Sequence, residues 1–130
     1  MFLIDTNIFL EVLLAREKKE DCKRSLRLLR DGEEKAIVTD FAVHSIIVVM
    51  DGLNELRSFL LSLIAYTGLQ IRHTTLSEEV GATELALNLN LDMDDAIQYS
   101  TALDAKVSAI VSYDRHFDGL EVPRIEPSPN

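Results

Sequence analysis

Three short apolar runs of this chain each lead into an aspartate. The runs and their aspartates are residues 2–4 with Asp5, residues 36–39 with Asp40, and residues 109–112 with Asp114. Short apolar runs that alternate with helical patterns are typical of buried parallel strands. In an open parallel sheet, ligands bind just beyond the carboxyl ends of the strands. Carboxylates that meet there repel one another unless a cation lies between them, so the pattern predicts a hard metal ion with oxygen ligands.

The rest of the chain alternates between helical periodicity and further short apolar runs. Besides the strands at 2–4, 36–39 and 109–112, a strand is predicted at 69–71 and a short edge strand at 122–125. Helices are predicted at 7–14, 18–30, 41–50 and 53–66, followed by one that opens at Thr75 or Ser77 and one that opens at Asp92. This order predicts an α/β fold, a three-layer α/β/α sandwich with a central parallel sheet of four to five strands.

Length and composition limit the class of protein. With 130 residues, 47% of them apolar, the chain is expected to form one domain over residues 1–130, with a loose C-terminal tail from about residue 126. No apolar run is long enough to cross a bilayer, so no membrane association is expected. The single Cys22 excludes an internal disulfide and a cysteine-based zinc site, and it fits a reducing cytoplasm.

The net charge of −9, from 22 acidic and 13 basic residues, argues against a protein that coats nucleic acid. Such a protein would be basic, because it has to neutralise phosphates. A metal-dependent nuclease is still compatible with this charge, because bound cations reverse the local sign of the charge in an acidic site.

Several of the candidate site residues also have an ordinary structural interpretation. The segment Asp5-Thr6-Asn7 stands at a strand-to-helix switch, where all three side chains can cap a helix. Alternatively, Asp5 binds a metal while Thr6 and Asn7 hold the turn and orient its carboxylate. Asp92 and Asp95 have the spacing of a capping pair, which explains Asp92 more completely than Asp95.

Three further aspartates have structural alternatives as well. Asp114 lies in a loop after a strand, where an aspartate commonly forms a turn, and its interest comes from its place beside Asp5 in the assembled sheet. Asp118 is expected to be an exposed loop acid rather than a ligand. Asp40 is expected to be a helix cap rather than a ligand.

Several other kinds of site are not supported by the sequence. His44, His73 and His116 have no zinc-binding spacing, and the Gly-x-Ser-x-Gly elbow of a serine hydrolase is missing. No glycine-rich dinucleotide loop or Walker loop is found either. A phosphotransfer domain is a poor match, because a dehalogenase-like phosphatase needs Asp-x-Asp where this chain has Asn7, and the acidic pair and lysine of a response-regulator receiver are missing.

Three segments in the same order resemble a PIN domain. They are residues 2–10 (FLIDTNIFL), 94–103 (DDAIQYSTAL) and 110–117 (IVSYDRHF). The resemblance spans nearly the whole chain. Many members of this family are VapC-type toxins of toxin–antitoxin pairs, and others process ribosomal or messenger RNA. The family typically uses four acidic residues around one or two Mg²⁺ or Mn²⁺ ions to hydrolyse RNA phosphodiesters, by an in-line attack that leaves a 5′-phosphate.

The resemblance assigns roles to individual residues. Asp5, Asp95 and Asp114 match the first, third and fourth acids, so the resemblance implies that they are catalytic and bind the metal. Three polar residues match side chains that support the site in the family: Thr6, Asn7 and Ser112.

The second acid is where this chain departs from the family pattern. The family usually has a glutamate on the helix after the second strand, and His44 or Ser45 falls about there in this chain. Glu11 and Asp40 are the candidates to compensate. Without a replacement, metal affinity and turnover are expected to fall.

The resemblance implies a metal-dependent endoribonuclease, either the toxin of a toxin–antitoxin pair or a nuclease that processes RNA. The substrate it implies is RNA, the partner an antitoxin and the assembly a homodimer. The alternative is a PIN-like domain that has lost catalysis and serves as an RNA-binding or scaffold protein. The amphipathic helix at 53–66 is expected to pack in the core, with a partner contact as the other interpretation. Its apolar positions at helical spacing are Leu53, Leu56, Leu60, Leu63 and Ile64.

Overall fold

The computed structural model describes residues 1–128, in which five parallel strands form one central sheet. The strands are β1 (Phe2–Ile4), β2 (Ala36–Thr39), β3 (Leu69–Arg72), β4 (Ala109–Val111) and β5 (Arg124–Ile125). Their order across the sheet is β3-β2-β1-β4-β5. In the centre, Leu3 of β1 lies opposite Ile37 of β2 on one side and Ile110 of β4 on the other. The predicted fold class is confirmed, and β5 is the predicted edge strand.

Six helices and one short 3-10 turn connect the strands within the described part of the chain. The helices are α1 (Thr6–Leu13), α2 (Lys19–Arg30), α3 (Asp40–Val49), α4 (Leu53–Ala65), α5 (Leu76–Leu89) and α6 (Met93–Asp104), and the turn is Arg115–Phe117. Thr75 caps α5, and its side chain forms a capping box with Glu78. Two helices therefore lie between β1 and β2, between β2 and β3, and between β3 and β4, as the sequence predicts.

Alternate residues of the strands point to opposite faces of the sheet and build two cores. On one face, Ile4 and Val38 pack with buried side chains of α1, α2 and α4. On the other face, Leu3 and Ile37 pack with α5 and α6. All four side chains are at most 2% exposed, so the strands are covered by helices on both sides. This burial explains why the sequences of the strands are continuous apolar runs rather than alternating apolar and polar residues.

The chain reverses its direction across the sheet between β1 and β4. From β1 it builds outward through β2 to β3, and it then crosses back to add β4 and β5 on the other side of β1. At such a switch point the connections leave the sheet in opposite directions and open a crevice at the carboxyl ends of the strands. Asp5 follows β1 directly and Asp114 follows β4 by three residues. The topology therefore brings both to this crevice.

One predicted helix cap is wrong, and a second one has the predicted position but makes no capping bond. Thr39, not Asp40, caps α3, because Thr39 has the extended backbone of an N-cap and its Oγ1 accepts a hydrogen bond from an N–H of the first turn at 3.0 Å. Asp40 is the first residue of α3, and its Oδ1 accepts bonds from the N–H and the hydroxyl of Thr74, at 3.3 and 3.2 Å. Asp92 stands at the N-cap of α6, but its side chain makes no capping bond. The predicted capping pair of Asp92 and Asp95 is therefore not formed.

α4 exposes more apolar surface than the sequence predicts. The helix buries a stripe at Leu56, Phe59 and Leu63, whereas Leu53 and Ile64 are each 79% exposed. Leu53 is the first residue of the helix and Ile64 lies about 100° further round than the buried stripe, so neither reaches the core. The prediction that Leu53 and Ile64 pack in the core is wrong.

No described helix combines the length and the apolar character that a membrane span requires. Residues 126–128 have no regular secondary structure, and the rest of the predicted loose tail lies outside the described residues.

Candidate metal centre

The crevice beside β1 and β4 contains an acidic pocket of about 180 Å³. Eleven residues line it: Asp5, Thr6, Asn7, Phe41, Ser45, Asp92, Asp94, Asp95, Gln98, Asp114 and His116. Five of them are aspartates, and none of these lining residues is a lysine or an arginine. Carboxylates gathered in a concave site produce a negative potential that attracts cations. The pocket therefore has the electrostatic character of a cation site.

Asp5 is the most buried carboxylate of the pocket, with 3% exposure. It stands at the N-cap of α1, but its side chain makes no capping bond. Its Oδ2 accepts a hydrogen bond from the Ser112 hydroxyl at 2.6 Å, and its Oδ1 accepts one from Nε2 of Gln98 at 3.0 Å. Burial raises the pKa of Asp5, and these two bonds oppose the rise because they favour the ionised form. Neutral donors therefore hold this carboxylate at the pocket.

Asp95 lies in the first turn of α6 and is 6% exposed. Burial raises the pKa of Asp95 to about 6, and the carboxylates of Asp114 and Asp94 add to this rise. The ionised form is therefore disfavoured in the absence of a cation. A perturbed carboxylate in a cleft is typical of functional sites, and a bound cation would favour its ionised form.

The hydroxyl of Ser112 forms hydrogen bonds with both Asp5 and Asp114. It donates to Asp5 and accepts a bond from the N–H of Asp114 at 2.9 Å. The backbone of Ser112 is itself held by the edge strand: its N–H donates to the carbonyl of Ile125 at 2.9 Å, and the guanidinium of Arg124 donates to its carbonyl at 2.9 Å. β5 therefore stabilises the residue that links the carboxylate of Asp5 to the backbone of Asp114.

His116 lies at the rim of the pocket, close to two carboxylates. Its Nδ1 is 3.2 Å from Oδ1 of Asp114 and 3.4 Å from Oδ2 of Asp95. The charge of Asp114, and then the hydrogen bond with Asp95, raise the pKa of this exposed imidazole. Ligand atoms of His116, Asp95 and Asp114 lie within 4.8 Å of one another, as do those of Asp92, Asp94 and Asp95. Such groups are close enough to share one ion.

Three acids that the sequence suggested for the site do not line the pocket. The carboxylate of Glu11 accepts the backbone N–H of Lys18 at 3.0 Å. Asp118 pairs with Arg124 at 2.7 Å, and this contact lowers the pKa of Asp118. Asp40 is held by the loop after β3, as described above. Each of the three is engaged elsewhere, so none of them supplies the missing second acid in this structure.

Ser45 is the residue that α3 contributes to the pocket at the position expected for the second acid. His44, the other candidate for that position, does not line the pocket. The Ser45 hydroxyl donates to the backbone carbonyl of Phe41 at 2.9 Å, one turn earlier in the same helix. The pocket therefore has an uncharged side chain at the position where the family pattern has a glutamate.

Besides Ser45, five residues line the pocket that the sequence did not assign to the site: Phe41, Asp92, Asp94, Gln98 and His116. Gln98 follows Asp95 by three residues, so the two side chains share one face of α6. That spacing is a signal that could have identified Gln98. His116 has no zinc-binding spacing, but it follows Asp114 by two residues in the loop after β4. Of the supporting residues that the resemblance suggested, Thr6 and Asn7 line the pocket and Ser112 contacts Asp5.

The donor set of the pocket fits a hard divalent cation. Asp5, Asp95 and Asp114 offer carboxylate oxygens, which suit Mg²⁺ and Mn²⁺, and no sulfur ligand is found in the lining. Burial is the main cause of the raised pKa values of Asp5 and Asp95, and the charge of Asp114 adds to both. These residues could therefore hold Mg²⁺ or Mn²⁺.

Solved structures of other proteins share the fold of this chain. A toxin–antitoxin complex from Klebsiella pneumoniae is similar, with a TM-score of 0.77, 16% identity and 98% coverage of both chains. So is the sarcin–ricin-loop-cleaving toxin VapC20 of Mycobacterium tuberculosis, with a TM-score of 0.70, 12% identity and coverage of 88% of this chain and 90% of that chain. VapBC2 from Rickettsia felis, bound to a promoter DNA fragment, has a TM-score of 0.71, 14% identity and 98% coverage of both chains.

No curated protein has a significant sequence match to the chain. At these identities the solved structures show the shared fold, and the family is shown by a match of residues 1–116 to the PIN domain. That match includes every residue that lines the acidic pocket. The chain belongs to the PIN domain family.

Proposed function

We propose that the protein is an endoribonuclease that uses Mg²⁺ or Mn²⁺, and that it acts in the cytoplasm as the toxin of a toxin–antitoxin pair. The observation that carries this proposal is the convergence of Asp5, Asp95 and Asp114 on one pocket at the switch point of the sheet. Membership of the PIN domain family supports it. A sarcin–ricin-loop-cleaving toxin among the structures of the same fold supports RNA as the substrate.

In the proposed mechanism, the carboxylates of Asp5, Asp95 and Asp114 would hold the cation. A cation held there would supply Lewis acidity toward the phosphodiester and a lowered pKa for an attacking water molecule. Ser112 favours the ionised form of Asp5 and orients its carboxylate by donating to Oδ2. His116, exposed at the rim, offers a donor to an approaching phosphate oxygen when it is protonated.

Cleavage of a labelled single-stranded RNA tests the proposal. We expect wild-type protein to cleave it in Mn²⁺ or Mg²⁺, and EDTA to abolish the cleavage. Asp95→Asn should lose most of the activity because it removes a ligand charge. Asp104→Asn is the matched control, since Asp104 lies at the other end of α6 and outside the pocket. Full metal-dependent cleavage by Asp95→Asn would contradict the assignment.

A PIN domain without catalytic activity, which binds RNA or acts as a scaffold, is the second candidate function. The observation that favours it is Ser45, which leaves the pocket without the usual second acid. Such a protein would bind labelled RNA in a gel-shift assay without cleaving it in either metal. Ser45→Glu restores the acid, so cleavage gained only by this variant would favour the second candidate.

We further propose that the protein binds an antitoxin and forms a homodimer. Leu53, Leu61 and Ile64 form an exposed apolar surface on α4, and an apolar groove of about 490 Å³ lies between this helix, α1 and α2. Exposed apolar patches of this kind often mark interaction sites. The toxin–antitoxin complexes among the similar structures support an antitoxin partner.

Light scattering of the purified chain measures its assembly directly. A mass near twice 14.6 kDa is expected, and Ile64→Lys should shift it toward the monomer without lowering the free energy of unfolding, because Ile64 is 79% exposed. A monomeric mass for the wild type would contradict the proposed dimer.

A further inference from the structure

Gln98 is a buried amide at the acidic pocket. It lies in the second turn of α6, is 3% exposed, and lines the pocket together with Asp5, Asp95 and Asp114. Its Nε2 donates to Oδ1 of Asp5 at 3.0 Å, across 93 residues of the chain. We propose that Gln98 is a positioning residue of the metal site, which holds Asp5 in the orientation that binds the cation. This inference rests on the proposed metal-dependent function.

Two neutral donors fix the carboxylate of Asp5 in place. Gln98 donates to one oxygen and Ser112 donates to the other, so the rotation of the group is restrained at both ends. A lysine or an arginine at position 98 would also hold Asp5, but its charge would compete with the metal. An amide restrains the carboxylate and leaves its full charge available to a cation.

A purely structural role does not account for a glutamine at this position. Oε1 of Gln98 is buried and has no hydrogen-bond partner among the described residues. An unpaired buried carbonyl is unfavourable, and an apolar side chain of similar size would avoid it. The orientation of the amide follows from Asp5, because the opposite orientation would place Oε1 against a carboxylate. The contact that Gln98 does make is therefore directed at the metal site.

Manganese binding measured by EPR titration separates a positioning role from a structural one. Gln98→Met keeps the length of the side chain but has no N–H donor. Because supporting contacts of metal ligands typically contribute tenfold to hundredfold to affinity, we expect a Kd for Mn²⁺ at least about tenfold weaker. The metal-free melting temperature should change little. Gln98→Asn keeps the amide but is one carbon too short to reach Asp5, so it should weaken binding in the same way.

Thr101→Val is the matched control for these variants. Thr101 lies one turn further along α6, is 4% exposed, and bonds a backbone carbonyl of its own helix rather than the pocket. This variant should bind Mn²⁺ like the wild type, even if its melting temperature falls.

Two outcomes would overturn the inference in different ways. If the wild type binds Mn²⁺ and both folded Gln98 variants bind it equally tightly, Gln98 has no role in the site, while the proposed function stands. If the folded wild type itself binds no Mn²⁺, the proposed metal-dependent function fails, and the role of Gln98 fails with it.

Discussion

Replacing Asp95 with asparagine should make the metal-free protein more stable at neutral pH, although it removes a proposed metal ligand. Asp95 is 6% exposed and close to the carboxylates of Asp114 and Asp94. An ionised Asp95 is therefore desolvated and repelled in the folded state. Asparagine has nearly the same shape and carries no charge, so it avoids both penalties, and His116 keeps Asp114 as a partner.

The raised pKa of Asp95 sets the size and the pH range of this effect. Because the pKa rises from 3.8 to about 6 on folding, the folded state holds the proton more tightly than the unfolded chain. The tighter proton binding contributes to the free energy of unfolding. This contribution is fully present below about pH 4 and is lost as the pH rises to about 6. Each pKa unit corresponds to about 1.4 kcal/mol. Asp95→Asn should therefore be up to about 3 kcal/mol more stable than wild type at pH 7.

Urea unfolding in EDTA at several pH values between 4 and 8 measures the prediction. The difference in unfolding free energy between variant and wild type should grow between pH 4 and pH 6 and then level off. Asp104→Asn, which changes an exposed acid of the same helix, should show no such rise. A difference that stays constant from pH 4 to pH 8 would refute the reasoning. At pH 7, added Mn²⁺ should stabilise wild type and leave the variant nearly unchanged.

Three other substitutions test separate parts of the structure. Ser112→Ala removes the hydroxyl that donates to Asp5 and accepts the N–H of Asp114. Mn²⁺ affinity measured by titration should therefore fall about tenfold to hundredfold. Ser45→Glu should tighten Mn²⁺ binding and lower the metal-free melting temperature, because it adds a further carboxylate to a pocket already lined by five aspartates. Gly68→Ala should lower the unfolding free energy in urea by about 1–3 kcal/mol, because a Cβ there would collide with the backbone carbonyl of Glu34.

The sequence predicts the sheet and the positions of the acids that follow its strands. Strands buried on both faces leave continuous apolar runs, and the topology of a parallel sheet then places Asp5 and Asp114 at one edge. Asp95 is predicted through the family resemblance, since its spacing alone suggests a helix cap. The assignment of catalytic and metal-binding roles to these three residues stays a prediction.

Other features depend on contacts that local patterns do not record. A threonine and an aspartate in succession can each cap a helix, and only the backbone conformation decides for Thr39 over Asp40. The spacing of Gln98 from Asp95 places it on the same face of α6, but its bond to Asp5 cannot be predicted locally because the two residues are 93 positions apart. Leu53 and Ile64 have the helical spacing of core residues, but the place of α4 at the surface leaves them exposed.

The acidic pocket joins the two ends of the chain, since Asp5 is bonded to Gln98 and Ser112 across 93 and 107 residues. Contacts of such long sequence separation form only after large loops have closed, which makes them dependent on nearly the whole fold. A peptide fragment that lacks β1 or β4 cannot contain the complete pocket. If a cation binds as proposed, local opening of β1 or β4 would release it, and its binding would oppose that opening. Resistance to proteolysis should therefore rise with the concentration of divalent cation.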